Sequence, residues 1–253
     1  MIAIRLGSRQ SLQHSGDFLN TIPSPILGLH LNTRDFIFAL KFRLGMQLYS
    51  QDGTCPSYLG QSDCMGDHAI TCMRHGEIIA RHNNIRDAIF EVARSANLAP
   101  RKEEAALIPS NNSKPANVLI PNFAGKPLAL DVTVVHPLTP ARLTSSASNP
   151  GQTLITAFNN KCRHTLEACS DEGIVFVLVC QESLGGYHER SASVLKRIAL
   201  AQSRAKGTDE TETIKDFFQK LSIIFQKENC PLLISCVPRS NYGGCKPYSL
   251  KFS

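Results

Sequence analysis

The chain has 253 residues, 42% of them hydrophobic and 19% charged, with a net charge of +6. This is ordinary globular usage, and it supplies enough chain for one large domain or a small module plus a medium one, with a core that needs no covalent staples. No apolar run reaches the roughly 18 residues of a membrane span, and the opening MIAIRLGSRQ lacks the apolar core and small-residue cleavage site of a secretory signal.

Nine cysteines without such a signal point to reduced thiols and a metal site inside the cell rather than a disulfide framework. Residues 1–31 carry Ser, Gly, Pro and His clusters and read as irregular. Asn32 and Thr33 are a helix cap, after which Phe36, Ala39, Leu40 and Leu44 recur at helical spacing. Residues 50–72, rich in Cys, Gly, Asp and Ser, form a loop or knuckle. A second helix is expected over 82–97, with Ile85, Ala88, Ile89, Val92 and Ala96 on one face.

The period then changes. Residues 105–108, 117–120 and 128–135 are short apolar or β-branched runs, the last two separated by Asn122-Phe123-Ala124-Gly125 as in a hairpin. Residues 139–153, rich in Ser, Thr, Pro and Asn, read as a mobile loop. A helix over 156–169 leads to 173–180 (GIVFVLVC), a buried central strand. Helices over 190–205 and 212–227 follow, with a last strand over 232–237. The order is a mixed α/β layout.

Two groups of residues carry chemistry. Cys55, Cys64, His68 and Cys72 lie within eighteen positions, and thiolates with imidazole are the ligands of a tetrahedral structural zinc site. His75 is a further candidate, and free thiols in a surface loop are the alternative. The second group centres on Asp131, inside the strand LALDVTVV, with Glu103 and Glu104 just ahead of the first short strand. A carboxylate amid apolar neighbours needs a partner. Converging carboxylates would hold magnesium or manganese, which activates water at a phosphodiester. A salt bridge from Asp131 to Lys161 or Arg163 is the other reading.

Several segments together resemble the C-terminal restriction-endonuclease-like domain, of the PD-(D/E)xK type, of site-specific non-LTR retrotransposon polyproteins. They are CPSYLGQSDCMGDHAITC (55–72), RHNNIRDA (81–88), KPANVLIP (114–121), GKPLALDVTVVHPL (125–138) and QESLGG (181–186), and the similarity runs from about Asp17 to the C-terminal region. The resemblance implies a zinc knuckle ahead of a nuclease domain with a central mixed sheet flanked by helices. The division would be 1–75 for the N-terminal helix and knuckle and 76–253 for the nuclease domain.

It further implies that Asp131 is one metal-binding carboxylate and that the first of the pair falls at position 117, where this chain has Asn117. Thr133 stands where many nucleases carry lysine, so Lys161 supplies the cation, and Glu104 or Glu103 joins Asp131 on magnesium. Tyr58 stands where a Cys-x-x-Cys clip has its second sulfur, so Cys64 is the substitute. Arg81, His82, Asn83 and Arg86 would form a DNA-facing helix surface. Arg190, Lys196, Arg197, Arg204 and Lys206 are either a solvated face or a second phosphate track.

The expected function is metal-dependent nicking of double-stranded DNA in the nucleus, with retroelement RNA as a second partner. Because asparagine is neutral and brings one carbonyl oxygen and a donating amide, Asn117 leaves two alternatives standing: a DNA-binding module without cleavage, and a degenerate fragment.

Overall fold

The computed structural model describes residues 12–57, 60–73, 76–105, 107–108 and 116–238. Tyr58, His75 and the opening eleven residues lie outside them. Helix α1, Thr33–Leu44, starts where Asn32 accepts from the Asp35 amide at 2.9 Å and stops at Gly45, whose φ of 66° no β-carbon favours. A two-stranded ribbon follows, β1 (Gly53–Thr54) against β2 (Gln61–Ser62). Helix α2 is Glu77–Ser95, five residues earlier in its start than its apolar stripe suggested.

The main sheet has the order β3 (Arg101–Lys102), β4 (Val118–Phe123), β5 (Lys126–Val135), β6 (Val175–Glu182). The first three run antiparallel, and β6 lies parallel to β5, pairing Asp131 with Leu178. Ala124 and Gly125, both at positive φ (56° and 86°), make the two-residue hairpin turn between β4 and β5, and the Asn122 side chain accepts from the Gly125 amide at 3.0 Å. Strand β3 is earlier and shorter than the run at 105–108. The chain turns at Glu103, where φ is 50°, and Leu107 and Ile108 insert into the core, Ile108 forming only an isolated bridge rather than a strand.

The crossover from β5 to β6 holds two helices, α3 (Leu143–Ser148) and α4 (Gln152–Asp171). The stretch 139–153 is therefore not all loop. Ser146 is buried and bonds Thr153 at 2.7 Å, which is what pins α3 in place. After β6 come α5 (Glu189–Lys206) and α6 (Glu210–Ser235). In place of the strand expected over 232–237, the helix continues to Ser235 and Cys236 caps it. Phe225, Leu232, Leu233 and Cys236 are buried at helical spacing on one stripe, and that stripe outweighs the amide lost at Pro231.

Alternation along the strands splits the core. Val118, Ile120, Leu128, Leu130 and Val132 face α2, α5 and α6, whereas Leu119, Ala129, Phe176 and Leu178 face α4. The result is a four-stranded mixed sheet with helices on both faces. A third cluster joins the ribbon region to the end of α6 through Phe42, Tyr49, Ile70, Leu232 and Leu233. No described helix is long and apolar enough to cross a membrane.

Candidate functional site

The cysteines and histidine of the knuckle meet the far end of the chain. Ligand atoms of Cys55, His68, Cys72 and Cys236 all lie within 4.8 Å of one another. Local geometry delivers His68: the Asp63 carboxylate accepts from the amides of Met65, Asp67 and His68 at 2.9, 3.0 and 2.6 Å, closing a tight turn. Gly66 in that turn has a φ of 86°, and a β-carbon there would sit 2.7 Å from Leu48 and 3.0 Å from Leu233. Only glycine lets the turn lie against α6. The Tyr49 hydroxyl donates to the Leu233 carbonyl and ties the same two segments together.

The donor set fits a structural metal. Sulfur–metal bonds of about 2.3 Å in a tetrahedron place sulfurs about 3.8 Å apart, and Cys55 lies 3.8 Å from Cys72 and 4.0 Å from Cys236. Those separations are about twice a disulfide bond. Cys64 is a correction to the sequence reading. It lies outside the cluster, half-exposed, beside Asp52, which accepts from its amide at 2.7 Å. Cys236 takes the fourth place. Its spacing from Cys72, 164 positions, gives no local signal, and only the path of α6 makes it a neighbour.

The second group gathers on the α4 side of β5. The Lys161 ammonium, on α4, is 2.6 Å from the Asp131 carboxylate. The Asp131 side chain is only 14% exposed, and burial pushes its carboxyl above the ordinary carboxylate value while Lys161 pulls it back. Asn117 stands just ahead of β4. Its side-chain oxygen accepts from the Val132 amide at 2.7 Å, and its side-chain NH2 donates to Glu103 at 3.4 Å.

Glu103 pairs with Arg86 of α2 at 2.9 Å, and Arg86 also binds Asp87 at 2.8 Å. Glu104, by contrast, points elsewhere and pairs with Arg101 at 3.4 Å. Of the two candidate glutamates, Glu103 is the one in this group. Half-buried His82 completes it: burial lowers its pKa, opposed by the Asp131 and Glu103 charges and reinforced by Lys161 and Arg86. Asn83 is half-buried on the same helix.

Arg81 does not face solvent. It is 5% exposed, donates to Asn229 at 2.9 Å, and sits 6.0 Å from the Phe225 ring. Burial lowers its pKa to about 10. Its helical phase carries it onto α6, so it joins helices together and is unavailable to DNA, contrary to the expectation from the sequence. His136, buried beyond the end of β5, reaches Ser183 at 2.5 Å on one side and Asp67 at 3.2 Å on the other. It links the sheet to the knuckle turn.

No family model matches the chain, and no curated protein matches it either.

Proposed function

We propose that this chain is a restriction-endonuclease-like domain of retroelement type that hydrolyses phosphodiesters in DNA. The observation that carries the reading is the Asp131–Lys161 pair at 2.6 Å with Asn117 and Glu103 beside it. The mixed sheet flanked by helices, with Asp131 and Asn117 on neighbouring chain segments, agrees with the architecture the resemblance implies.

Among the described residues this group is not a ready-made metal cage, since the one cluster of that kind is the Cys/His set. Magnesium commonly takes one or two protein carboxylates and completes its shell with water and substrate phosphates, where it supplies charge neutralisation and an acidified water. Asp131 and Glu103 are the carboxylates available for that. Lys161 holds positive charge where negative charge builds on the phosphate. Asn117 orients Val132 and Glu103 but brings no charge of its own. His82, whose pKa burial lowers, offers an unprotonated ring nitrogen as a proton acceptor.

Two hydrogen bonds favour a second reading, a DNA-binding module without cleavage. The Asn117 oxygen is already claimed by Val132 and Glu103 by Arg86, which leaves Asp131 as the sole carboxylate opposite Lys161. Nicking of supercoiled plasmid in magnesium or manganese decides. Wild type should nick, Asp131→Ala should lose at least ~100-fold, the order found for removing a transition-state charge partner, and Asn117→Asp should nick faster. If none nicks while all still retard DNA in a gel, the binding module replaces the nuclease.

A further inference from the structure

The basic residues of α5 do not act as a set. Arg204 pairs with Glu210 at 3.4 Å. Arg190 and Arg197 instead line hollows on the outer side of β6, the edge strand of the sheet. The first hollow, about 540 Å³, is bordered by Asn159, Asn160 and Arg163 of α4 and by His188 and Arg190. The second, about 340 Å³, is bordered by Phe123 and Lys126 of the hairpin and by Arg190 and Arg197. Arg190 lines both, so the two adjoin at that side chain. Neither lining contains a carboxylate, and the neighbouring Glu189 is outside both.

Arg163, Arg190, Arg197 and Lys126 are all exposed, and among the described residues none of them forms an ion pair. Half-buried His188 and Phe123 lie among these cations. His188 stacks on the buried Phe158 ring with centroids 4.0 Å apart, which fixes its orientation, and Arg190 lies 5.8 Å from that Phe158 ring. Arg197 lies 4.8 Å from the ring of half-exposed Phe123. Three hydrogen bonds tie the start of α5 to β6: the His188 amide donates to the Cys180 carbonyl at 3.0 Å, and Ser191 donates to Leu178 at 2.7 Å and accepts from the Cys180 amide at 3.0 Å.

We propose that this track, Arg163–Arg190–Arg197–Lys126, binds the phosphate backbone of a single nucleic-acid strand. Guanidinium forks suit phosphate oxygens, the asparagine amides add donors, and alternating cations and rings form the pattern that holds single strands without reading sequence. An acidic peptide would satisfy the cations but would leave the rings unused. Neither lining contains Lys161 or Asp131, so the track is a surface separate from the Asp131 group. The inference rests on the proposed function only for what happens to the strand, not for its binding.

The test is fluorescence anisotropy on zinc-loaded protein without added magnesium, with a labelled single-stranded DNA of about a dozen nucleotides, within the usual site size, using Asp131→Ala protein so that cleavage is silent. Arg190→Glu, and separately Arg163→Glu with Arg197→Glu, should weaken binding roughly tenfold or more, and each lost phosphate contact should flatten the salt slope by about 0.7. Arg94→Glu, which alters a cation on α2 paired with Glu91 away from the track, should change neither. Thermal melts confirm that the variants are folded.

Equal loss in Arg94→Glu overturns the inference, and so does unchanged binding in both track variants. In either case the cations only guard the sheet edge. Displacement by polyglutamate or by pyrophosphate as effective as that by unlabelled strand, at equal charge, overturns the nucleic-acid assignment. Track-dependent binding together with a failure to nick plasmid would sink the nuclease and leave the track standing.

Discussion

Replacing Cys236 with alanine separates two accounts of the knuckle, because the local sequence pointed to Cys64 and the structure brings Cys236 to the site. A metal on Cys55, His68, Cys72 and Cys236 closes a loop of 164 residues between Cys72 and Cys236. On the chain-entropy account of cross-links, a loop that long is worth about 5 kcal/mol, which is a ceiling because Leu232 and Leu233 already hold the same segments together. In a domain of this size each kcal/mol moves the melting point by about 2–4 °C, so zinc should raise the wild-type Tm by up to about 10–20 °C. The assay is metal content by mass spectrometry after dialysis, with melting curves in zinc and in chelator. Wild type and Cys64→Ala should carry one zinc and show the full shift. Cys236→Ala should lose the metal and most of the zinc-dependent shift, whatever its own folding cost in chelator. If Cys64→Ala loses the zinc and Cys236→Ala retains it, the assignment is wrong.

Other consequences follow from single groups. Glu182 is buried at the end of β6 with one carboxylate oxygen lacking a hydrogen-bond partner, and burial raises its pKa from 4.5 to about 7. A raised carboxyl favours the folded state below the unfolded pKa, and that contribution is lost as pH rises through the folded value. Glu182→Gln should therefore leave stability unchanged at pH 4 and raise it by up to about 3 kcal/mol at pH 8, as read by urea melts. A constant difference across that range would show that Glu182 is not the titrating group.

Asn117→Asp adds a second carboxylate about 3.4 Å from Glu103, a repulsion that a divalent cation relieves. Millimolar magnesium should raise the Tm of that variant more than that of wild type. Equal shifts would argue against a cation site there. Arg81→Ala strands the Asn229 oxygen inside the protein and should cost about 3 kcal/mol, with the affinity of the folded fraction for DNA unaltered. A weaker DNA affinity without loss of stability would return Arg81 to the surface.

The alternation of apolar residues, the helix caps and the hairpin turn are local properties, which is why the sheet strands β4 to β6, α1 and α5 can be read from the sequence. Asp131 stands out for the same reason, since a charge inside LALDVTVV conflicts with its neighbours, and Cys55, His68 and Cys72 stand close enough together to suggest a shared ion. What depends on distant chain segments could not be read that way. Whether Glu103 or Glu104 turns inward rests on one left-handed residue, Glu103 at φ 50°. Whether Arg81 meets solvent rests on which face of α2 packs against α6. The run at 232–237 has strand-like composition, yet its side chains gain more by burying one helical stripe against the knuckle. That same choice swings Cys236 to Cys55 across 181 positions. A long-range ligand leaves no spacing to detect: its place is set by how two helices and a tight glycine turn pack, and packing energy belongs to the assembled core rather than to any window of sequence.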